Sequence, residues 1–591
     1  MSTETAPRDP AREIRLFSEQ LMLELCQSLV EKGLVTRGQV DELNSRKALT
    51  GETMDAMLIK EGLVRDIEVL SALSELTNIP FRHIAEVKMQ PDAIKRVPAR
   101  VAIRYQVVPI GVQGGIVTLA SCRVPNLATV DSLRMVLNMA IEWILCAETD
   151  IMKTLKHFYG LGAETIDNLA ESPGNESAIV ETTDVAATET ADEGIVKFVN
   201  QIIFEAIRMD ATDIHIEPFE NELRLRYRID GILQDIPIPK GVARLRKAVA
   251  SCVKIMAEMN IAERRKPHDG RISVRSGAEE FDLRVSLLPS AFGETVCLRI
   301  LNRKTMFIDL EHLGLSREQT PLINYLADLP HGVILLTGPT GSGKTTTLYA
   351  LLSRINTSDV KIITVEDPIE YQMHGINQIQ VHAQIGLTFA TILRSILRHD
   401  PDIILIGEIR DMETADIAVR ASLTGHLVFS TLHTNDAPSA IPRLTDMGVE
   451  PYLISSCLEG VIAQRLVRRI CSPCKEEMMP DEALTGEIAS MFPRKAKEAR
   501  FYRGRGCPDC NFTGFKGRIA IFEIMIMNDA LRGMVVRSRP SNEIKQQAIQ
   551  DGLVTLRRDG WSRVLDGMTT IEEVMRVARK TELAAEQAEM E

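Results

Sequence analysis

The chain has 591 residues, of which 45% are hydrophobic and 25% charged, and its formal net charge is −12 at pH 7. Because one hydrophobic core rarely grows beyond about 250–300 residues, we expect several domains, and the acidic balance argues against a DNA motor, whose affinity depends on basic residues. No apolar run approaches the ~18–20 residues of a membrane span and no secretory signal is visible, which predicts a cytoplasmic protein.

The N-terminal region, residues 1–161, is predicted to be a helical domain. Residues 31–35 resemble residues 60–64, and in each copy an apolar helical pattern runs into a glycine, Gly33 or Gly62. Glycine is typical of a helix C-cap, so the repeat predicts a helix, a glycine cap and a further helix, twice over. The alternative is a coincidence between two helical hairpins.

Residues 162–192 are predicted to be a flexible acidic linker. The stretch from His157 to Val196 has no Lys or Arg and contains nine Asp or Glu. Such a segment cannot bury enough apolar surface to offset the entropy of ordering it.

Residues 193–305 are predicted to form an α+β domain. A helical pattern covers residues 195–209 and a second one covers about 242–259. Strand-like alternation of apolar and polar residues occurs at 214–216, 223–229 and 281–285. Strands that alternate with few helices indicate this fold class.

Residues 306–591 are predicted to form an α/β domain with a largely parallel sheet. Short, almost wholly apolar strands alternate with helical segments, at residues 333–336, 362–365, 403–406 and 427–430. Continuous apolar strands are typical of a parallel sheet that is covered on both faces.

A complete phosphate-binding loop follows the first of these strands. It matches the pattern G-x-x-x-x-G-K-[ST] and consists of Gly338, Pro339, Thr340, Gly341, Ser342, Gly343, Lys344 and Thr345, with Thr346 opening the helix behind it. Glycines let backbone N–H groups surround phosphates, and the helix N-terminus adds partial positive charge. We expect Lys344 to reach the β- and γ-phosphates of ATP and the Thr345 hydroxyl to bind Mg²⁺. A chance glycine-rich turn is the alternative.

Two further strands end in carboxylates. Glu366 ends the strand at 362–365, and Glu408 follows the strand at 403–406. Ligands in open α/β sheets bind at the carboxyl ends of the strands, so both side chains should face the γ-phosphate. We assign Glu408 to the Mg²⁺ side and Glu366 to the attacking water, while simple strand-end or helix-cap carboxylates are the alternative.

Histidines and arginines complete the candidate site. His426 precedes the strand at 427–430 and His433 follows it, and an imidazole beside the γ-phosphate can report hydrolysis. Arginines spread the charge of a transferring phosphoryl group. The candidates are Arg271 and Arg284 in the α+β domain and Arg394 and Arg398, which are four residues apart and should share a helix face. The alternatives are a satisfied core histidine and solvated surface arginines.

Four cysteines form two C-x-x-C pairs, Cys471 with Cys474 and Cys507 with Cys510. Each pair can bind one metal from a tight turn, and four thiolates make a closed tetrahedral Zn²⁺ site. We expect structural zinc that holds residues 471–510, a subdomain with little core of its own.

These motifs together resemble those of the secretion ATPases that power type II secretion and type IV pilus assembly. The resemblance covers about residues 195–578. Besides the phosphate loop and the cysteine pairs, it includes DIHIEP at 213–218, RYRIDG at 226–231, EDP at 366–368, GEIRD at 407–411, the stretch from 425 to 433, and GFKGRIAIFE at 514–523.

The resemblance implies a PAS-like α+β domain and a RecA-like ATPase domain in a homo-hexamer. It implies partners at the inner membrane, namely a platform protein and a cytoplasmic anchor, and peripheral attachment to the membrane through them. It supports Glu366 as the catalytic carboxylate and Glu408 on the Mg²⁺ side, and it suggests that the four arginines line nucleotide interfaces. The zinc pairs and the long N-terminal region are similar to those of the assembly or secretion branch, not the retraction branch.

The N-terminal repeat is similar to the domain that, in some relatives, binds cyclic di-GMP through Arg-Leu-Gly-type motifs. The corresponding residues here are ELC at 24–26 and TMD at 53–55, which lack the Arg and the Gly. We therefore do not expect cyclic di-GMP binding, and we interpret residues 1–161 as a partner-docking domain. Two other functions remain as alternatives, a nucleotide-gated scaffold and a DNA-translocating ring motor, although no nucleic-acid partner is expected.

Overall fold

The computed structural model describes residues 19–50, 54–87, 89–159, 189–238, 240–276, 279–302, 310–479, 482–493 and 499–578. The chain divides into two compact units. The first contains residues up to 273 with 283–300 and 506–513, and the second contains 274–282, 301–505 and the residues from 514 onward. Within the described ranges, no helix combines the length and apolarity that a membrane crossing requires.

The first unit opens with the predicted helical repeat. Its four helices are Glu19–Glu31, Arg37–Thr50, Met54–Lys60 and Asp66–Thr77. Gly33 and Gly62 have φ angles of 71° and 68°, in the left-handed region. The amide of Leu34 donates to the Leu29 carbonyl at 3.0 Å, and the residues one repeat later make the equivalent bond at 3.1 Å. Both are glycine-capped helix ends of the Schellman type, so the predicted repeat is confirmed.

A three-stranded sheet follows, which the prediction of a helical domain did not include. Its strands are β1 (Val107–Gln113), β2 (Ile116–Ser121) and β3 (Ala140–Leu145), with β1 antiparallel and β3 parallel to β2. The surrounding helices are Pro91–Arg96, Ala99–Tyr105, Leu127–Leu137 and Glu148–Tyr159. The pairing of β1 with β2 shifts register between Pro109 and Gly111, and these residues interrupt the alternation that identifies a strand.

The predicted linker lies mostly outside the described residues, but helix Glu189–Arg208 includes its last four positions. The helix therefore begins before the linker boundary that the sequence predicts at residue 192. The helix packs on a six-stranded sheet through Tyr227, whose buried hydroxyl donates to the Ile202 carbonyl at 2.7 Å.

This sheet has the strand order β6-β5-β4-β9-β8-β7. The strands are β4 (Ala211–Pro218), β5 (Leu223–Ile229), β6 (Ile232–Ile236), β7 (His268–Ser276), β8 (Glu279–Ser290) and β9 (Gly293–Asn302). Helix Arg246–Met256 lies within the helical stretch predicted at 242–259. The α+β class is thus confirmed.

The second unit is built on a seven-stranded sheet with the order β12-β11-β13-β14-β10-β15-β18. Its strands are β10 (Gly332–Thr337), β11 (Ile362–Glu366), β12 (Asn377–Gln380), β13 (Ile403–Ile406), β14 (Leu427–Leu432), β15 (Leu458–Ile470) and β18 (Phe515–Ile526). The first six run parallel, and β18 is antiparallel to β15. Strands β16 (Lys475–Met478) and β17 (Phe501–Gly504) form a separate antiparallel pair.

Both faces of this sheet are buried, as predicted. Along β10, Val333 and Leu335 belong to one hydrophobic core, and Ile334 and Leu336 belong to another on the opposite face. The described helices of the sheet domain are Gln319–Ala327, Lys344–Ile355, Phe389–Ile396, Met412–Leu423, Ala440–Asp446, Pro451–Cys457, Asp529–Val536, Ser541–Gln550, Leu556–Leu565 and Ile571–Val577.

One of the two edge strands of this sheet, β18, packs against helix Leu556–Leu565. The amide of Phe522 donates to the carboxylate of Asp559 at 2.9 Å, and both side chains are buried. Burial raises the pKa of Asp559, although nearby Arg563 partly opposes this effect. A helix side chain therefore satisfies a backbone donor of the edge strand.

Candidate ATP site and cysteine cluster

The phosphate loop lies between β10 and helix Lys344–Ile355, as predicted. Its three glycines, Gly338, Gly341 and Gly343, have φ angles of 153°, 79° and 89°. A Cβ on Gly338 would lie 2.5 Å from the Ser342 hydroxyl oxygen, so this position has no room for a side chain. The loop thus needs glycine both for its backbone angles and for its close packing.

Lys344 lies inside the loop. Its Nζ donates to the carbonyl oxygens of Gly338 at 2.7 Å and Pro339 at 3.2 Å. Burial lowers the pKa of Lys344 to about 8, and the negative charge of Glu408 partly opposes this change. The Ser342 hydroxyl is buried without a hydrogen-bond partner among the described residues. An unpaired hydroxyl and a partly buried lysine ammonium at the N-terminus of a helix fit a bound triphosphate.

Glu408 follows β13 at the same edge of the sheet. Its carboxylate accepts a hydrogen bond from Arg410 and lies 3.4 Å from Nε2 of His433, which follows β14. Arg410 also lies 3.8 Å from the carboxylate of Asp367, so it connects the ends of β11 and β13. Burial alone would raise the pKa of Glu408, but Arg410 and then His433 lower it below its usual value. An ionised carboxylate beside the phosphate loop suits a Mg²⁺ ion.

Glu366 ends β11, next to β13 in the sheet, and its side chain is only 4% exposed. Its carboxylate accepts hydrogen bonds from Tyr349, from Thr364 at 2.5 Å and from Gln378 at 3.2 Å. Gly407 packs against this strand end, because a Cβ there would lie 3.4 Å from Cα of Glu366. The Val365 carbonyl oxygen would lie nearer still, at 3.3 Å, so a side chain at position 407 would require this strand end to shift slightly.

The two candidate histidines lie at opposite ends of β14. His433 follows the strand and is next to Glu408, whereas His426 precedes it. The six residues of the strand span about 20 Å. His426 Nδ1 lies 2.8 Å from the carbonyl oxygen of Ala421, at the end of helix Met412–Leu423. The structure therefore brings His433 but not His426 to the phosphate-loop edge of the sheet, and a direct role for His426 stays a prediction.

Arg394 and Arg398 are exposed, and they do not share one helix face. The helix ends at Ile396, and Arg398 lies in the turn that leads to Asp400 and Pro401. Proline disfavours helical backbone at the residue before it, so the chain leaves the helix before Pro401. The prediction that both arginines lie on one helix face is therefore wrong. Arg394 pairs with Glu413.

Arg271 and Arg284 lie in the first unit and line one cavity of about 460 Å³. Arg299 and Asp269 also line it. The structure thus places the two predicted arginines together. Their action on a nucleotide stays a prediction.

The four predicted zinc ligands, Cys471, Cys474, Cys507 and Cys510, are buried, and their sulfur atoms lie within 4.8 Å of one another. The sulfurs of Cys507 and Cys510 are 3.7 Å apart, far beyond the ~2.05 Å of a disulfide. Tetrahedral thiolates at about 2.3 Å from zinc are separated by about 3.8 Å, so the cluster fits this ion.

The subdomain at 471–510 is also attached by its own side chains. Helix Glu482–Met491 carries Ile488, which packs in one hydrophobic core with Trp561. Arg557 donates twice to the carboxylate of Glu487, at 2.5 and 2.7 Å. The cysteine cluster is therefore not the only contact that holds this segment.

Known proteins are similar to this chain in sequence over almost its whole length. The sequence model of the family described as Type II/IV secretion system protein matches residues 188–576. The chain belongs to this family. A second family model, described as the MshEN domain, matches residues 77–165 of this secretion-system protein.

Among the relatives of this secretion-system protein is the type IV pilus assembly ATPase PilB of Myxococcus xanthus. The two are 40% identical over 558 residues, which cover 93% of this chain and 98% of the relative. The type II secretion system protein E of Xanthomonas campestris pv. campestris is 40% identical over 560 residues, or 94% and 98% of the two chains. A structure of the pilus retraction motor PilT with bound ADP is 27% identical, with a TM-score of 0.44, and covers 65% of this chain and 97% of PilT.

Three residues near the candidate ATP site of this secretion-system protein have no role in the predictions from the sequence. Arg410 was part of a recognised motif but was not assigned a role. Gln464 and Arg465 lie on β15 behind the phosphate loop, and the Gln464 amide oxygen accepts from Thr347 at 2.8 Å. The guanidinium of Arg465 donates to the carbonyl of Gln464 at 3.0 Å and to that of Asn435 at 2.6 Å. Their signal was a polar pair within the otherwise apolar stretch 460–467 of this strand.

Proposed function

We propose that this secretion-system protein is an ATPase that couples ATP hydrolysis to the assembly of a pilus or pseudopilus, and so powers type IV pilus extension or type II secretion. The observation that carries the proposal is the common edge of the parallel strands β10, β13 and β14, which holds the phosphate loop, Glu408 and His433. The 40% sequence identity to PilB and to type II secretion system protein E, over 98% of the length of each, supports it.

The side chains have distinct roles in this proposal. Lys344 and the loop amides bind the β- and γ-phosphates, and the Thr345 hydroxyl and Glu408 would hold Mg²⁺. The bound ion supplies neutralisation of the phosphate charge. Glu366 orients the attacking water. His433 and Arg410 keep the Glu408 carboxylate ionised and fixed in direction.

We place the active protein in a homo-hexamer. Arg394 and Arg398 are exposed, as residues at a subunit interface must be before assembly. Arg271 and Arg284, which share a cavity, would act on nucleotide from the α+β domain. An arginine supplied by another domain or subunit makes hydrolysis depend on assembly.

The hexamer would act on the cytoplasmic side of the inner membrane. The platform protein and the cytoplasmic anchor would attach it there, with residues 1–161 as the docking domain. The relatives named as PilB and as type II protein E support such a setting.

We also propose that the four cysteines bind one structural Zn²⁺ per chain. All four thiols are buried in a closed cluster, which leaves no open coordination position for catalysis. The ion would fix the turn that carries Cys507 and Cys510.

Phosphate release from Mg²⁺-ATP by the purified full-length protein tests the ATPase proposal, with the oligomeric state measured in the same samples. We expect release that Lys344→Ala abolishes and that Glu408→Gln lowers by at least tenfold. Equal rates in the wild type and in Lys344→Ala would contradict the proposal. Tight ATP binding without turnover, even with the platform protein added, would instead indicate a nucleotide-gated scaffold.

A further inference from the structure

The carboxylate of Glu366 is enclosed by three donors from three different elements. Tyr349 comes from helix Lys344–Ile355 and Gln378 from β12, while Thr364 is two residues back on β11 itself. Tyr349 donates to one carboxylate oxygen, and the other two donate to the second oxygen. A buried carboxylate held at both oxygens has its direction fixed.

We propose that Tyr349 and Gln378 are positioning residues that aim the carboxylate of Glu366 at the attacking water. The inference rests on the proposed function, in which Glu366 orients that water. It adds two residues that touch Glu366 and act through it.

The Tyr349 hydroxyl is suited to donate a hydrogen bond to Glu366 at all times. It is 1% exposed, and burial together with the charge of Glu366 raises the pKa of its phenol, so the hydroxyl keeps its proton. The ring of Tyr371 packs edge-on against it, with 4.5 Å between centroids and an interplanar angle of 76°. Tyr349 also lies five residues after Lys344 on the same helix, so one rigid element carries both the phosphate-binding lysine and a donor to the carboxylate.

The amide of Gln378 can be oriented in only one way. Its oxygen accepts from the backbone amide of Met373 at 2.7 Å, which leaves the NH₂ group to donate. That group donates to the Tyr371 carbonyl at 3.0 Å and to Glu366 at 3.2 Å. The segment after β11 therefore holds the donor that faces Glu366.

A purely structural role predicts a different outcome from a positioning role. If the three donors only compensate the burial of Glu366, then removing one lowers stability and affects nucleotide binding and turnover alike. If they aim the carboxylate, then turnover falls while nucleotide affinity stays the same, because binding depends on the phosphate loop.

The experiment uses the full-length protein with Tyr349→Phe, which removes only the hydroxyl, and Gln378→Met, which keeps the side-chain length. We expect kcat to fall by about tenfold or more in each, with the Kd for a fluorescent ATP analogue within about twofold of the wild type. Tyr325→Phe is the matched control, because it removes a phenol from an exposed side chain of the same unit, and it should keep the wild-type rate.

A double-mutant cycle with Glu366→Gln separates the two proposals. Tyr349→Phe should cause no further loss in the Glu366→Gln background if it acts through that carboxylate. Wild-type kcat in Tyr349→Phe and Gln378→Met, or equal losses of kcat and of affinity, would overturn the positioning role. Wild-type turnover by Glu366→Gln would instead remove the role of Glu366 in the proposed function.

Discussion

Lys344 is expected to lower the stability of the nucleotide-free protein while it makes nucleotide binding possible. Burial lowers its pKa from 10.5 to about 8. A shift of one pKa unit corresponds to about 1.4 kcal/mol of free energy. This difference corresponds to about 3 kcal/mol before solvent screening, and to about 1–2 kcal/mol for a partly buried side chain. Because the pKa is lower in the folded state, the cost is fully present below pH 8, shrinks as the pH rises, and is absent above about pH 10.5.

Lys344→Met should therefore stabilise the protein without nucleotide by about 1–2 kcal/mol at pH 7. For a unit of this size, that is a rise of roughly 2–8 °C in melting temperature. Scanning calorimetry of both proteins in chelator, at pH 7 and about pH 10, measures the effect, with Lys516→Met as the control on an exposed lysine. A Lys344→Met protein that is less stable at pH 7, or a gain that is the same at both pH values, would refute the reasoning.

Further predictions concern the histidines, one buried carboxylate and the zinc cluster. His433→Gln should lower kcat by at least tenfold, because His433 adjoins Glu408. His426→Gln should keep kcat and lower the free energy of unfolding by about 1 kcal/mol, because it removes a contact at the end of a helix. Equal effects of the two substitutions on kcat in steady-state assays would contradict this separation. Burial alone would raise the pKa of Glu573, but two arginines lower it to about 2. Glu573→Gln should thus cost about 2–3 kcal/mol at pH 7, and the difference in unfolding free energy should disappear as the pH falls from about 4.5 to about 2. Metal analysis should find about one zinc per chain. The Cys510→Ser protein should lose the zinc, and residues 471–510 should become sensitive to protease. A metal-free protein with unchanged resistance to protease would contradict a structural ion.

Much of the second unit could be predicted because its physics is local. Strands buried on both faces are almost wholly apolar, and so the predicted strand at 403–406 has the same bounds as β13. The phosphate loop was equally readable, because its glycines are required by backbone angles that other residues rarely adopt. The caps at Gly33 and Gly62 followed the same logic.

Contacts between distant segments were beyond the sequence. Nothing in the local pattern shows that Tyr349 reaches Glu366, or that Arg410 connects the ends of two strands, because periodicity gives a face and not a partner. The positions of His426 and His433 at opposite ends of the strand could, by contrast, be predicted from the sequence. A parallel strand has its ligand edge only at its carboxyl end, so the histidine that precedes β14 had to lie at the other edge.

The covered outer strand limits how copies of the second unit can associate. An open strand edge offers a row of unsatisfied amides to any neighbouring chain, and it is a common route to unwanted fibres. Here the carboxylate of Asp559, in the same chain, accepts the hydrogen bond of the Phe522 amide. At this position another chain cannot pair with the β18 backbone, so any contact made there must go through side chains, whose fit is adjustable where a continuous hydrogen-bond ladder would be rigid.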